Sequence, residues 1–99
     1  MYRGRVNLGN TVAEPKKEVE NHLDSLWEVL LHNDDHNAQE FVIFCLMKIF
    51  GHSIELSVKI MLEAHQRGSA VAEVEEKEQA ELHCKQLVAY GLTASIRVV

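Results

Sequence analysis

The chain has 99 residues, 46% apolar and 25% charged, enough for one small core and too few for a cofactor domain beside a substrate domain. Its formal net charge is −5, and its ten Lys and Arg are scattered rather than gathered into a stripe, which argues against binding nucleic acid or an anionic membrane surface. The longest apolar run, Phe41 to Met47, falls far short of the ~20 residues of a membrane span. No apolar stretch follows Arg3 and Arg5 as a secretory signal would need, so a soluble cytoplasmic protein is expected.

Residues 1–24 read as a flexible extension, with the only proline, Pro15, and little apolar periodicity. Within them Pro15 to Leu23 offers a short helix as an alternative, since proline suits a first turn and Glu18 and Glu20 follow it. Residues 25–99 form the body. Leu26 to His32 predicts a strand that ends at Asn33-Asp34-Asp35. From about Ala38 to Phe50 the chain predicts a helix, apolar on most sides and therefore central, stopped by Gly51.

Ser53 caps the next helix, with Glu55 in its first turn. Ile54, Val58, Met61, Leu62 and His65 share one stripe, which places His65 on the buried face, and Gly68 is the stop. Ser69 to Glu75 alternates, predicting a strand with Ala70, Ala72 and Val74 inside and Glu73 and Glu75 outside. Lys77 to Tyr90 returns to helical period on Ala80, Cys84, Leu87 and Val88, and Gly91 ends it. Leu92, Ala94, Ile96 and Val98 alternate with Thr93, Ser95 and Arg97 in a last strand. The order β-α-α-β-α-β implies an α+β fold, a small three-stranded antiparallel sheet with three helices on one face. Cys45 and Cys84 lie in apolar-periodic stretches without metal-knuckle spacing and read as reduced core thiols.

The densest polar cluster is His32-Asn33-Asp34-Asp35-His36-Asn37. One reading is a helix cap, with Asn33, Asp34 or Asp35 accepting the first free amides and Glu40 completing a capping box. A metal site on His32, Asp34, Asp35 and His36 lacks the spacing that would fix ligands on one helical face. Acid–base catalysis by an Asp–His65 pair lacks a nucleophile, an oxyanion device and a phosphate loop, so no catalytic residue and no cofactor are expected. The remaining reading is capture of a cation: carboxylates and a carbonyl beside an apolar wall suit an ammonium on a hydrophobic body. His65 reads either as a core histidine or, if it reaches the loop, as an acceptor for that ammonium.

Leu26-Trp27-Glu28-Val29-Leu30-Leu31-His32-Asn33-Asp34-Asp35 followed by Glu40-Phe41-Val42 resembles the signature of the ClpS adaptor family. Met61-Leu62-Glu63-Ala64-His65-Gln66-Arg67-Gly68-Ser69-Ala70 is similar to its second motif, Met-Leu-x-x-His-x-x-Gly-x-Ala. The resemblance covers about Leu26 to Arg97. It implies a non-enzymatic adaptor that binds the apolar or aromatic N-terminal residue of N-degron substrates. Delivery would be to the N-terminal domain of a ClpA- or ClpC-type AAA+ unfoldase, for degradation by ClpP.

On the matching positions, Asn33, Asp34, Asp35 and His65 would hold the substrate's α-amino end. Asn37, Gln39, Met61, Ala64 and Leu92 would line the side-chain pocket, and Glu78, His83 and Gly68 would meet the unfoldase. The extension would be the arm engaged during transfer, and the adaptor would act as a monomer. The chain departs from the family pattern at His36-Asn37-Ala38-Gln39, where an aromatic and Thr-Pro-Met are common, and at Ala64, where a larger Val is common. These departures leave the preferred first residue open. They also motivate an alternative: a family-like modulator that docks on the unfoldase without reading N-degrons.

Overall fold

A computed structural model describes residues 26–99, and the expectations for the extension lie outside them. Strand β1 (Leu26–His32) is followed by helices α1 (Gln39–Phe50) and α2 (Ile54–Arg67), strand β2 (Ser69–Glu76), helix α3 (Lys77–Ala89) and strand β3 (Ala94–Val98). β1 is central and antiparallel to both neighbours, giving the order β2-β1-β3. The expected element order and sheet are present, and element ends move by one or two residues.

One face of the sheet carries the core. Val29 and Leu31 of β1 and Ala70 and Ala72 of β2 join Val42, Cys45 and Leu46 of α1, Ile60, Met61 and Ala64 of α2, and Ala80 and Leu87 of α3 in one buried cluster. Both α2 and α3 pack on the sheet, while α1 packs against those two helices. Cys45 is a buried free thiol as expected, whereas Cys84 is only half-buried. α1, expected to be central, contacts both other helices but leaves one side open, with Phe44 51% exposed and Met47 also open.

The buried stripe of α2 is Ser57, Ile60, Met61 and Ala64. Ile54, Leu62 and His65 are exposed, so the expected stripe is rotated and His65 is not a core residue. Small side chains sit where close-packed helices leave little room, and a count of large apolar residues gives Ser57 and Ala64 too little weight. On α3, Val88 is likewise exposed rather than part of the buried stripe.

In β2 the alternation changes phase. The pairing runs Leu30 with Val71 and then Val29 with Glu73, so Ala72 is an extra residue, a β-bulge. Beyond it Glu73 and Glu75 lie across from Val29 and Trp27 on the helix-covered face, and Val74 turns outward, 45% exposed. This reverses the sides expected for Val74 and the two glutamates. His52 Nε2 donates to the carbonyl of the bulged Ala72 at 2.8 Å.

Candidate functional site

The loop between β1 and α1 is held by the C-terminal ends of the other two helices. Its first residue, Asn33, donates its backbone N–H to the carbonyl of Gly68 at 2.9 Å, and its last turn donates through Asn37 Nδ2 to the carbonyl of Gly91 at 3.0 Å. Gly68 and Gly91 end α2 and α3 with φ of 95° and 94°, a left-handed conformation that glycine adopts without a Cβ clash. The loop is therefore clamped at both ends by helix stops. His32 N–H adds a bond to Thr93 O at 2.9 Å.

The acidic run does not cap α1. Ala38 is the cap residue, with extended backbone and no side-chain bond to the first turn, so neither the expected cap nor the box with Glu40 forms. Asp34 instead organises the loop itself. Its Oδ1 accepts His36 N–H at 2.7 Å and its Oδ2 accepts Asn37 Nδ2–H at 2.6 Å. The Asn37 bond first, then the His36 bond, hold the Asp34 carboxyl below its ordinary range, which keeps it ionised well into acid.

Behind this loop lies a cleft of about 340 Å³, open solvent at its mouth included. Its lining joins β1, the loop, α1, α2 and the segment before β3. Leu31, Val42, Met61, Ala64 and Leu92 supply apolar wall, while His32, Asn33, Asp34, Asn37, Gln39 and His65 supply polar groups. All five expected pocket residues lie here, together with Asn33, Asp34 and His65. Asp35 is exposed and outside the lining. His36 is exposed as well, and among the described residues no group of three or more His, Cys, Asp or Glu is placed to hold a metal ion.

Two lining residues, Leu31 and Val42, have no part in the sequence reading of the site, whereas His32 opens the polar cluster singled out there. Leu31 follows from strand alternation beside Val29, and Val42 sits one turn after Gln39 on α1. His32 enters because its Nε2 bonds Ser95 Oγ at 2.7 Å, a partner 63 positions away that no local signal reveals.

The three residues expected at an unfoldase surface belong to two elements, Gly68 to the end of α2 and Glu78 and His83 to α3. Glu78 is exposed in the first turn of α3, and Gly68 is exposed at the end of α2. His83 is half-buried, bonded through Nδ1 to Glu75 and packed edge-on against Phe50 with centroids 4.9 Å apart. No helix among the described residues is long and apolar enough to cross a membrane.

Residues 22–95 match the profile of the family described as "ATP-dependent Clp protease adaptor protein ClpS". The ClpS adapter protein of Synechococcus elongatus is 36% identical over 87% of this chain and 92% of its own length. The chloroplastic adapter CLPS1 of Arabidopsis thaliana is 44% identical over 71% of this chain and 45% of its own. Among solved structures, Agrobacterium tumefaciens ClpS2 bound to L-phenylalaninamide superposes with a TM-score of 0.74 at 32% identity, covering 77% of this chain and 99% of that one. A cleft that pairs an apolar wall with an ionised carboxylate, on a fold shared with these proteins, accords with that kinship: the chain belongs to the ClpS family of Clp protease adaptors.

Proposed function

We propose that the chain is an adaptor that binds proteins carrying a free, apolar or aromatic N-terminal residue and delivers them to a ClpA- or ClpC-type AAA+ unfoldase for degradation by ClpP. The observation that carries this reading is the cleft, whose lining brings an apolar wall together with the polar groups of Asn33, Asp34 and His65. The relative solved with L-phenylalaninamide, an amino acid with a free amine and an uncharged carboxyl end, supports the same ligand class.

In this reading the substrate's ammonium meets the Asp34 carboxylate, the Asn33 side-chain carbonyl and an accepting nitrogen of His65. Asp34 is already bonded by His36 and Asn37, so it is oriented before the ligand arrives. The first side chain enters against Leu31, Val42, Met61, Ala64 and Leu92, and burying it stabilises the complex by roughly 1.5–3 kcal/mol. A blocked or internal residue offers no ammonium and leaves those polar groups unpaired. No bond is made or broken, and the chemistry belongs to the protease.

The unfoldase's N-terminal domain would dock on the surface marked by Glu78 and Gly68, with His83 held beneath it by Glu75. Asp35, exposed beside the cleft, would add negative potential at its entrance rather than a direct bond. Residues 1–24 would form the arm that engages the unfoldase, and residues 25–99 would act as a cytoplasmic monomer.

The test is binding of two peptides that begin with Phe and differ only in N-acetylation, followed by fluorescence anisotropy. Tight binding of the free peptide alone is expected, and equal affinities would refute the reading. Unfoldase binding without affinity for any of twenty free N-terminal residues would favour the docking-only alternative.

A further inference from the structure

Asn37 has a hydrogen-bond inventory that bears on which first residue the cleft takes. Its side-chain nitrogen lies 2.6 Å from Asp34 Oδ2 and 3.0 Å from Gly91 O. A carboxylate and a backbone carbonyl only accept, so the amide can sit one way round and both of its N–H groups are committed. The atom Asn37 has left to offer a ligand is Oδ1, an acceptor without a donor beside it on the same side chain. Asn37 lines the cleft and is half-buried, with Oδ1 as its one uncommitted side-chain polar atom.

Asn33, Gln39 and His65 carry donors as well as acceptors, whereas Asn37 offers a ligand an acceptor alone. Asp34 is an acceptor throughout, and the carboxyl is held ionised by the same two bonds. His32 has its Nε2 engaged with Ser95 Oγ at 2.7 Å. Gln39 is exposed at the start of α1, where its amide can turn either group to solvent or ligand. The rest of the wall, Leu31, Val42, Met61, Ala64 and Leu92, is apolar.

We propose that Asn37 makes the cleft select a first side chain that carries a hydrogen-bond donor on an apolar body, tyrosine ahead of phenylalanine. The inference rests on the N-terminal-residue reading above and deepens it. Phenylalanine has the shape to fill the same space, but it displaces water from Asn37 Oδ1 and returns nothing. The tyrosine hydroxyl donates to that oxygen and restores the bond. A site built around a hydrogen bond penalises the analogue that lacks the partner more than an apolar site rewards an added methylene.

The experiment compares two free-amine peptides that differ only in Tyr or Phe at the first position, titrated by anisotropy against the full chain and against Asn37→Leu, which keeps the side-chain shape and removes the acceptor. In the unaltered protein the Tyr peptide is expected to bind about three- to tenfold more tightly. Asn37→Leu removes the brace on Asp34 for both peptides, so the readout is the ratio, which is expected to fall toward about one. Equal affinities in the unaltered protein, or tighter binding of Phe, overturn the proposal while leaving the N-terminal-residue reading intact. A Tyr preference that survives Asn37→Leu overturns the assignment to Asn37. Failure of both free peptides to bind removes the underlying reading and this inference with it.

Discussion

His83 of α3 donates through Nδ1 to both carboxylate oxygens of Glu75 of β2, at 2.9 and 2.7 Å. The pair exists because the bulge at Ala72 turns Glu75 from the open face of the sheet to the face that α3 covers. Both side chains are mostly shielded, at 18% and 15% exposure, which separates this pair from solvent-exposed ion pairs of negligible worth. Replacing His83 by Ala removes the bond and the edge contact with Phe50. It is expected to lower stability by about 1–2 kcal/mol in urea unfolding, and peptide affinity should stay unchanged because neither residue lines the cleft. A variant as stable as the parent would show that the pair contributes nothing.

Ser57 is the one buried polar residue among those described, 0% exposed, and its hydroxyl has no hydrogen-bond partner. An unpaired buried hydroxyl costs free energy, and Ala is also the better helix former. Ser57→Ala is therefore expected to stabilise the protein by about 1 kcal/mol, raising the melting temperature by about 4–8 °C. A fall in melting temperature would mean that the hydroxyl is satisfied.

Asp34 links acid stability to ligand capture. Its folded-state pKa is lowered, chiefly by the bond from Asn37. The stability it contributes is present above the unfolded value of about 3.9 and disappears as pH falls through the depressed folded value. Melting curves of the parent and Asp34→Asn should differ at pH 5–7 and converge toward pH 2. At neutral pH the same variant is expected to lose at least about tenfold in affinity for a free-amine peptide. Curves that stay parallel down to pH 2 would contradict the assigned bonds.

The cleft holds two imidazoles, His32 and His65. His32 has its Nε2 engaged with Ser95 Oγ, and in the proposed capture it is His65 that accepts from the ligand's ammonium. His65→Ala is therefore expected to weaken binding of a free-amine peptide by about tenfold in an anisotropy titration, whereas His32→Gln should leave affinity close to the parent's. A loss that follows His32 instead would reassign the acceptor.

Burial pushes both cysteine thiols above their usual range, so the reactive thiolate is scarce at neutral pH. Labelling by a thiol reagent at pH 7 is expected to be slow at both positions. The half-buried Cys84 should react first, and Cys45 should react only on unfolding. Fast labelling of Cys45 in native buffer would indicate a core more open than the packing described.

The ends of the elements were legible because single residues set them. Ser53 caps α2 by accepting Leu56 N–H at 3.1 Å, and Gly51, Gly68 and Gly91 take the left-handed stops that their positions after apolar-periodic runs predict. The eight residues that the family resemblance assigns to one site and the structure gathers in one cleft span Asn33 to Leu92; seven fall within the two segments that carry the resemblance, and Leu92 lies beyond both. Faces were less legible. The stripe of α2 turned on the small residues Ser57 and Ala64, and the faces of β2 turned on a bulge that no turn residue announces.

By itself, the sequence determined what local chemistry controls: where helices start and stop, which strand alternates, and that a run of six polar residues begins at the end of β1. Only the tertiary structure decided what those polar residues do. Asp34 braces its own loop instead of capping α1, because Asn37 can bond Gly91 O, 54 positions away, and fix the loop beside the cleft. It likewise decided that His65 stands at the cleft rather than in the core. Such outcomes depend on which distant groups the packing brings within 3 Å, and a periodicity read along one element carries no record of them.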